Sequence, residues 1–233
     1  MTDLPYRAAH IVGAGPGISA SLARRLTALG LKVALAARDA ARLAELAKDT
    51  GAVAITADAT QPAAVTALFE AAEQHIGELD IVVYNASARV QGPLAELDPA
   101  AVERVLSVSA FGAFLAVQQA ARRMVPHGRG AILFTGATAG VKGFAHSAPF
   151  AMGKFALRGL AQSAARELGP KGIHVAHFVI DGGVRAAHRP DPADRPDSLL
   201  DPDAIAQTYI DVLRQPRSAW SFEVELRPWV ERF

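Results

Sequence analysis

The sequence predicts one α/β domain, a doubly wound parallel sheet of about seven strands with helices on both faces. Three observations carry this reading. Short apolar runs of strand length alternate with stretches of helical periodicity from residue 8 to residue 226. A glycine-rich turn follows directly on the first run, where folds of this class bring the backbone close to a phosphate. The chain has 233 residues, 51% hydrophobic and 20% charged, which is enough for one large core. It shows no internal repeat and no second-domain boundary, so residues 1–233 read as a single dinucleotide-binding, Rossmann-type unit.

Composition removes several function classes. A formal net charge of +1 gives no electrostatic case for nucleic acid or an anionic membrane. With no cysteine there is no disulfide, no thiolate nucleophile and no cysteine-ligated metal, and no metal site is expected. The first residues lack the apolar core of a signal peptide, and no uninterrupted apolar run is long enough for a bilayer. A cytoplasmic location is the expectation.

In order, residues 8–13 form a buried strand, and Gly13-Ala14-Gly15-Pro16-Gly17-Ile18-Ser19 leads into a helix through Leu29. Isoleucine at 18 means that the spacing is not Gly-x-Gly-x-x-Gly. The strand 32–39 ends at Ala37-Arg38, where a dinucleotide fold selective for NAD places an acid on the ribose hydroxyls. An arginine there suits a 2′-phosphate, hence NADP(H), although an ordinary surface arginine at a helix start also fits. A helix (40–49), a strand (52–57) and Asp58 follow, and Asp58 reads equally as a turn or cap residue before Pro62. After a helix to about His75, the strand 79–88 carries Asn85, by itself a polar residue closing a strand. Asp98-Pro99 starts a long helix over 100–125, and a strand runs over 130–140.

The helix 147–169 is the centre of the reading. Ser147 can cap it, Pro149 suits its first turn, and Gly169-Pro170 ends it. Phe150, Phe155, Leu157, Leu160 and Leu168 suit burial on most sides, so Lys154 among them must send its ammonium to water, a partner or a ligand. A strand (172–184), an irregular Pro-, Asp- and Arg-rich segment (185–202), a helix (203–214) and a strand (220–226) complete the chain. A loop of that length is usually a lid or a disordered connection, and the region near 185–215 reads as lid-like.

The glycine turn, Asn85-Ala86-Ser87, Phe150-x-x-x-Lys154 and the order of elements together resemble the short-chain dehydrogenase/reductase family over essentially the whole chain. The turn looks like that family's Gly-x-x-x-Gly-x-Gly, with Ser19 in the last place. The resemblance implies that Gly13, Gly17, Ile18, Arg38, Asp58, Asn85 and Lys154 border the cofactor, with Asp58 at the adenine. It also implies a small-molecule substrate, a lid over 185–202, and a homodimer or homotetramer paired through the 100–125 and 147–169 helices.

The family's catalytic set is not kept. Its tyrosine, serine and relay asparagine positions read Phe150, Ala137 and Ser109, so only Lys154 survives. General acid catalysis contributes ~10²–10⁴-fold, and neither phenylalanine nor alanine can supply it. The expectation is an NADP(H)-dependent oxidoreductase with an atypical proton donor and an unspecified substrate. Lys154, Ser147 and Asp181 are the candidate catalytic residues, with Thr138, His146 and His188 also near the expected mouth. The alternative is a cofactor-binding protein without turnover, a sensor or an inactive partner.

Overall fold

The computed structural model describes residues 4–231. Seven strands form one sheet in the order 3-2-1-4-5-6-7, every neighbouring pair parallel. They are β1 (Ala8–Val12), β2 (Lys32–Ala37), β3 (Val53–Thr56), β4 (Ile81–Tyr84), β5 (Gly130–Thr135), β6 (Ile173–Ile180) and β7 (Glu223–Leu226). The order reverses between β1 and β4, so chains leaving their carboxyl ends part to opposite sides and open a crevice.

Alternation along the strands divides the core into two layers. Ile11, Ile81 and Val83 face one side with α1 (Ile18–Ala28), α2 (Ala44–Thr50) and α7 (Pro202–Leu213). Val12, Val82 and Tyr84 face the other with α3 (Pro62–Ile76), α5 (Gly112–Met124) and α6 (Ala148–Leu168). That two-sided burial explains why the strands read as near-continuous apolar runs.

The long helix expected over 100–125 is interrupted. It is α4 (Pro99–Leu106), one π turn at Ser107–Phe111, and then α5. A π turn loosens the helical ladder, and here the Tyr84 hydroxyl donates to the Val108 carbonyl at 2.5 Å. A Cβ on Gly112 would stand 2.5 Å from that hydroxyl, so the contact needs glycine at 112. The partner lies on β4, beyond the reach of helical periodicity.

By length and hydropathy the stretch Pro99–His127 is apolar enough to cross a bilayer, an exception to the sequence expectation. Its inner face is a core face, with Val105, Ala113, Ala116 and Ala120 buried. Its outer face leaves Phe111 and Phe114 45% and 44% exposed, stacked at 6.3 Å. On neighbouring α6, Met152 and Phe155 are exposed as well.

The helical half of the lid-like region is core: Ile205, Ala206, Tyr209 and Ile210 of α7 are buried, and α7 packs on α1. Only the irregular part, 185–201, stands near the crevice. Ion pairs from Arg185 to Asp191 and Asp201 tie it, together with a bond from the Leu200 amide to the Gly183 carbonyl.

Candidate functional site

Two cavities open at the carboxyl edge of the sheet and share Asn85 and Ser87. The first, about 420 Å³, lies over β1 and β2 and is lined by Gly13, Gly15, Arg38, Asp58 and Asn85 among others. The second, about 510 Å³, lies over β5 and β6 and takes in Ile18, Thr138, Ser147, Phe150, Lys154 and Asp181. Of the predicted cofactor residues and of Lys154, Ser147 and Asp181, all but Gly17 line one or the other cavity. His146 and His188 line neither cavity. Both are exposed, and His146 sits at φ 60 with its carbonyl accepting from Gly92 N–H.

The turn at the first cavity is built by close packing. Gly13 has φ +83, and a Cβ there would fall 2.3 Å from the Ala86 backbone. Asn85 braces it: its amide donates to Ser19 Oγ at 2.7 Å and to the Gly13 carbonyl at 3.3 Å. Ser19, in the place of the family's last glycine, fits buried and accepts that bond.

The α1 N-terminus is free to receive an anion. Gly17 is its cap, with no side-chain capping bond and no acid in the first turn. Built Cβ atoms on Gly15 and Gly17 meet nothing within 4 Å, which is the open space a pyrophosphate would fill. The residues present fit a dinucleotide. Arg38 is exposed at the cavity edge and makes no hydrogen bond or ion pair among the described residues. Asp58 lines the same cavity while making its own turn, accepting from Thr60 N–H at 2.9 Å and Thr60 Oγ1 at 2.8 Å. Those two bonds hold its carboxyl below the usual carboxylate range.

In the second cavity, Lys154 is buried and donates from Nζ to the Thr135 carbonyl at 2.8 Å. Burial pushes its pKa from 10.5 down to about 8. An ammonium has three donors, so two stay available towards the cavity. Phe150 offers only its ring, with Lys154 Nζ 5.8 Å and the Arg89 guanidinium carbon 5.1 Å from its centroid. Ser147 occupies the cap position of α6 but makes no capping bond, contrary to the role its place in the sequence implies. It lines the second cavity, three residues before Phe150. Ser109 is buried with no partner for its hydroxyl, pressed against α6 at Gly153.

Two candidates prove to be one unit. Thr138 Oγ1 donates to Asp181 Oδ1 at 2.5 Å, and Arg227 faces the other carboxylate oxygen at 3.3 Å. Parallel pairing of β5 with β6 brings these residues together across 43 positions of sequence. The sequence reading missed four arginines that line the cavities. Arg42 and Arg104 are at the first, Arg89 and Arg189 at the second. Isolated arginines in loops and helices carry no spacing signal; only the fold collects them. Among the described residues no group of His, Asp and Glu is arranged to hold a metal ion.

A family profile described as short chain dehydrogenase matches residues 7–191. A curated relative from Staphylococcus saprophyticus, described as an uncharacterized oxidoreductase, is 30% identical over 98% of this chain and 100% of its own. The 3-oxoacyl-[acyl-carrier-protein] reductase MabA of Mycobacterium bovis is 30% identical over 76% of this chain and 69% of its own. Among solved structures, a short-chain dehydrogenase from Rhodopseudomonas palustris superposes with a TM-score of 0.82 at 36% identity, covering 96% of this chain and 99% of that one. A metagenomic short-chain oxidoreductase in complex with NADP superposes with a TM-score of 0.83 at 27% identity, covering 98% and 100%.

Lys154 gives a stability prediction. The unfolded chain keeps this proton up to about 10.5, whereas the folded chain releases it near 8. Stability attributable to this group therefore rises with pH between those values and is lost on descending through 8. Lys154→Met removes the buried charge and should stabilise the fold at pH 7 by ~1–3 kcal/mol. The gain over the parent should shrink towards pH 10 in urea titrations. A variant less stable than the parent at pH 7 would show that the bond to Thr135 outweighs the desolvation.

Proposed function

Because the chain belongs to the short-chain dehydrogenase/reductase family of oxidoreductases, we propose that it is an NADP(H)-dependent oxidoreductase of a small molecule, with Thr138 and Asp181 handling the proton in place of a tyrosine. The observation that carries this is the 2.5 Å bond from Thr138 to Asp181 inside the cavity that also holds Lys154.

Gly13 and Gly17 with the uncapped α1 N-terminus would receive the pyrophosphate, Arg38 the 2′-phosphate and Lys154 the nicotinamide ribose; Ile18 and Asn85 would border the ring side. The NADP bound to the metagenomic relative supports this choice of cofactor. When bound, the dinucleotide supplies the acceptor or donor of a hydride. The chain's own residues deal with the proton. Thr138 gives its hydrogen to Asp181, so its oxygen lone pairs are open to an alcohol O–H. In the oxidative direction the substrate proton passes to Thr138 Oγ1 as the Thr138 proton passes to the carboxylate. Reduction runs the same chain backwards, with the proton returning from Asp181 through Thr138 Oγ1 to the substrate oxygen. Ser147 offers a second hydroxyl to the substrate oxygen. The segment 185–201 would cover the substrate.

We also read the exposed Phe111, Phe114, Met152 and Phe155 as the subunit face, because α5 and α6 lie side by side and each leaves large apolar side chains uncovered. The expected assembly is a homodimer or homotetramer.

Three measurements test these readings. NADPH should bind roughly ten- to a hundredfold more tightly than NADH, the ~1.5–3 kcal/mol of charge-assisted bonds, and Arg38→Ala should erase the difference. Equal affinities in the parent protein would remove Arg38 from the 2′-phosphate. Thr138→Val and Asp181→Asn should each lower turnover by ~10²-fold or more while NADPH affinity holds, as loss of a proton acceptor requires. Full activity in either variant would send the proton elsewhere. Light scattering at micromolar concentration should give at least twice the 24.5 kDa chain mass, and Phe114→Glu should reduce it; a monomeric parent would leave the apolar face without this explanation.

A further inference from the structure

We propose that the substrate carries a carboxylate, held by Arg89 and Arg189 at the mouth of the cavity between Phe150 and Asp181; this inference rests on the oxidoreductase reading. The cavity is lined by three cations, Arg89, Lys154 and Arg189, and two acids, Asp181 and Glu231. Lys154 is bonded to the Thr135 carbonyl, and Asp181 faces both Thr138 and Arg227. That leaves two guanidinium groups and one exposed carboxylate, Glu231, to decide what enters.

The two arginines come from separate parts of the chain. Arg89 stands on the connection after β4 and Arg189 on the 185–201 segment, and both line the cavity. Neither side chain makes a hydrogen bond or ion pair among the described residues, although those of Arg25, Arg123, Arg129, Arg158 and Arg185 all do. Arg89 stacks over the Phe150 ring, which restrains its planar fork without using its donors. Arg189 Nη1 lies 3.6 Å from where a Cβ on Gly183 would be, against the cavity wall. Glu231 borders the wall at Gly182, its Oε2 3.6 Å from a Cβ built there.

A guanidinium fork matches a carboxylate in geometry as well as charge. Two such forks would fix a substrate at a point away from its reacting carbon. Fixing orientation in that way lowers the barrier in addition to what the Thr138–Asp181 pair supplies, which suits a site where phenylalanine and alanine replace tyrosine and serine. The phosphates of the cofactor do not account for this pair, because the glycine turn and Arg38 belong to the other cavity.

The test is a comparison of 2-, 3- and 4-oxo acids with their methyl esters. Binding is measured by saturation-transfer NMR on both the NADP⁺-saturated and the cofactor-free protein. At least one acid should bind tenfold or more tightly than its ester, with the difference falling as salt is added. Arg89→Gln and Arg189→Gln should each weaken that acid about tenfold, and leave the ester and NADPH affinity unchanged. Both side chains are exposed, so the variants should fold, and circular dichroism checks this. Acids that bind no better than their esters would overturn the inference. So would acid affinity unchanged in both variants, or a loss of NADPH affinity that assigns these arginines to the cofactor. If the parent protein binds no NADP(H), the cofactor reading fails separately, and the acid–ester comparison on cofactor-free protein still decides the charge question.

Discussion

The junction of β1 and β4 is the constraint on which the rest of this structure depends. At that point neighbouring parallel strands send their chains to opposite faces of the sheet, and something must hold the edges of the resulting crevice. Asn85 does so with one side chain, tying the end of β4 to the Gly13 carbonyl and to Ser19 at the start of α1. Gly13 can then press on Ala86 at a distance no Cβ would permit. The N-terminus of α1, with no side-chain cap, follows that turn directly, and both cavities share Asn85.

The second cavity is organised around a cost. A lysine buried to the degree of Lys154 loses hydration that one carbonyl does not fully replace, and its lowered pKa expresses that loss. An apolar residue would be the more stable choice beside Phe150, whose ring already belongs to an apolar wall. A buried cation of this kind is a common mark of a functional site. Phe150 has no proton to give, and in the same cavity the Asp181 carboxylate accepts a hydrogen bond from Thr138 Oγ1.

Charge is distributed with the same economy. Most arginines elsewhere are bonded: Arg158 holds Glu223 with two nitrogens, and Arg123 holds Glu73 and Gln119. Around the cavities, the side chains of Arg38, Arg89, Arg104 and Arg189 make no hydrogen bond or ion pair among the described residues. With a net charge of only +1, the molecule as a whole has little field to attract an anion. The local surplus at the crevice supplies it.

The amino-acid sequence by itself determined the layers, the strand count and the phosphate turn, because each is written in short-range pattern. Buried parallel strands must be apolar throughout, helices must show their 3.6 period, and a turn without Cβ atoms must be spelled in glycine. It also determined that Phe150 and Ala137 cannot exchange a proton, since that is a property of the side chains alone. Tertiary structure decided what depends on neighbours distant in the chain. The break at Ser107–Phe111 is matched to a hydroxyl on β4, and Thr138 meets Asp181 only through the pairing of β5 with β6. Ser147 looks like a cap in one dimension, yet lines the cavity without a capping bond. Arg89 and Arg189 are 100 residues apart, and nothing local marks them as a pair; only a fold that brings two loops to one cavity mouth can do so.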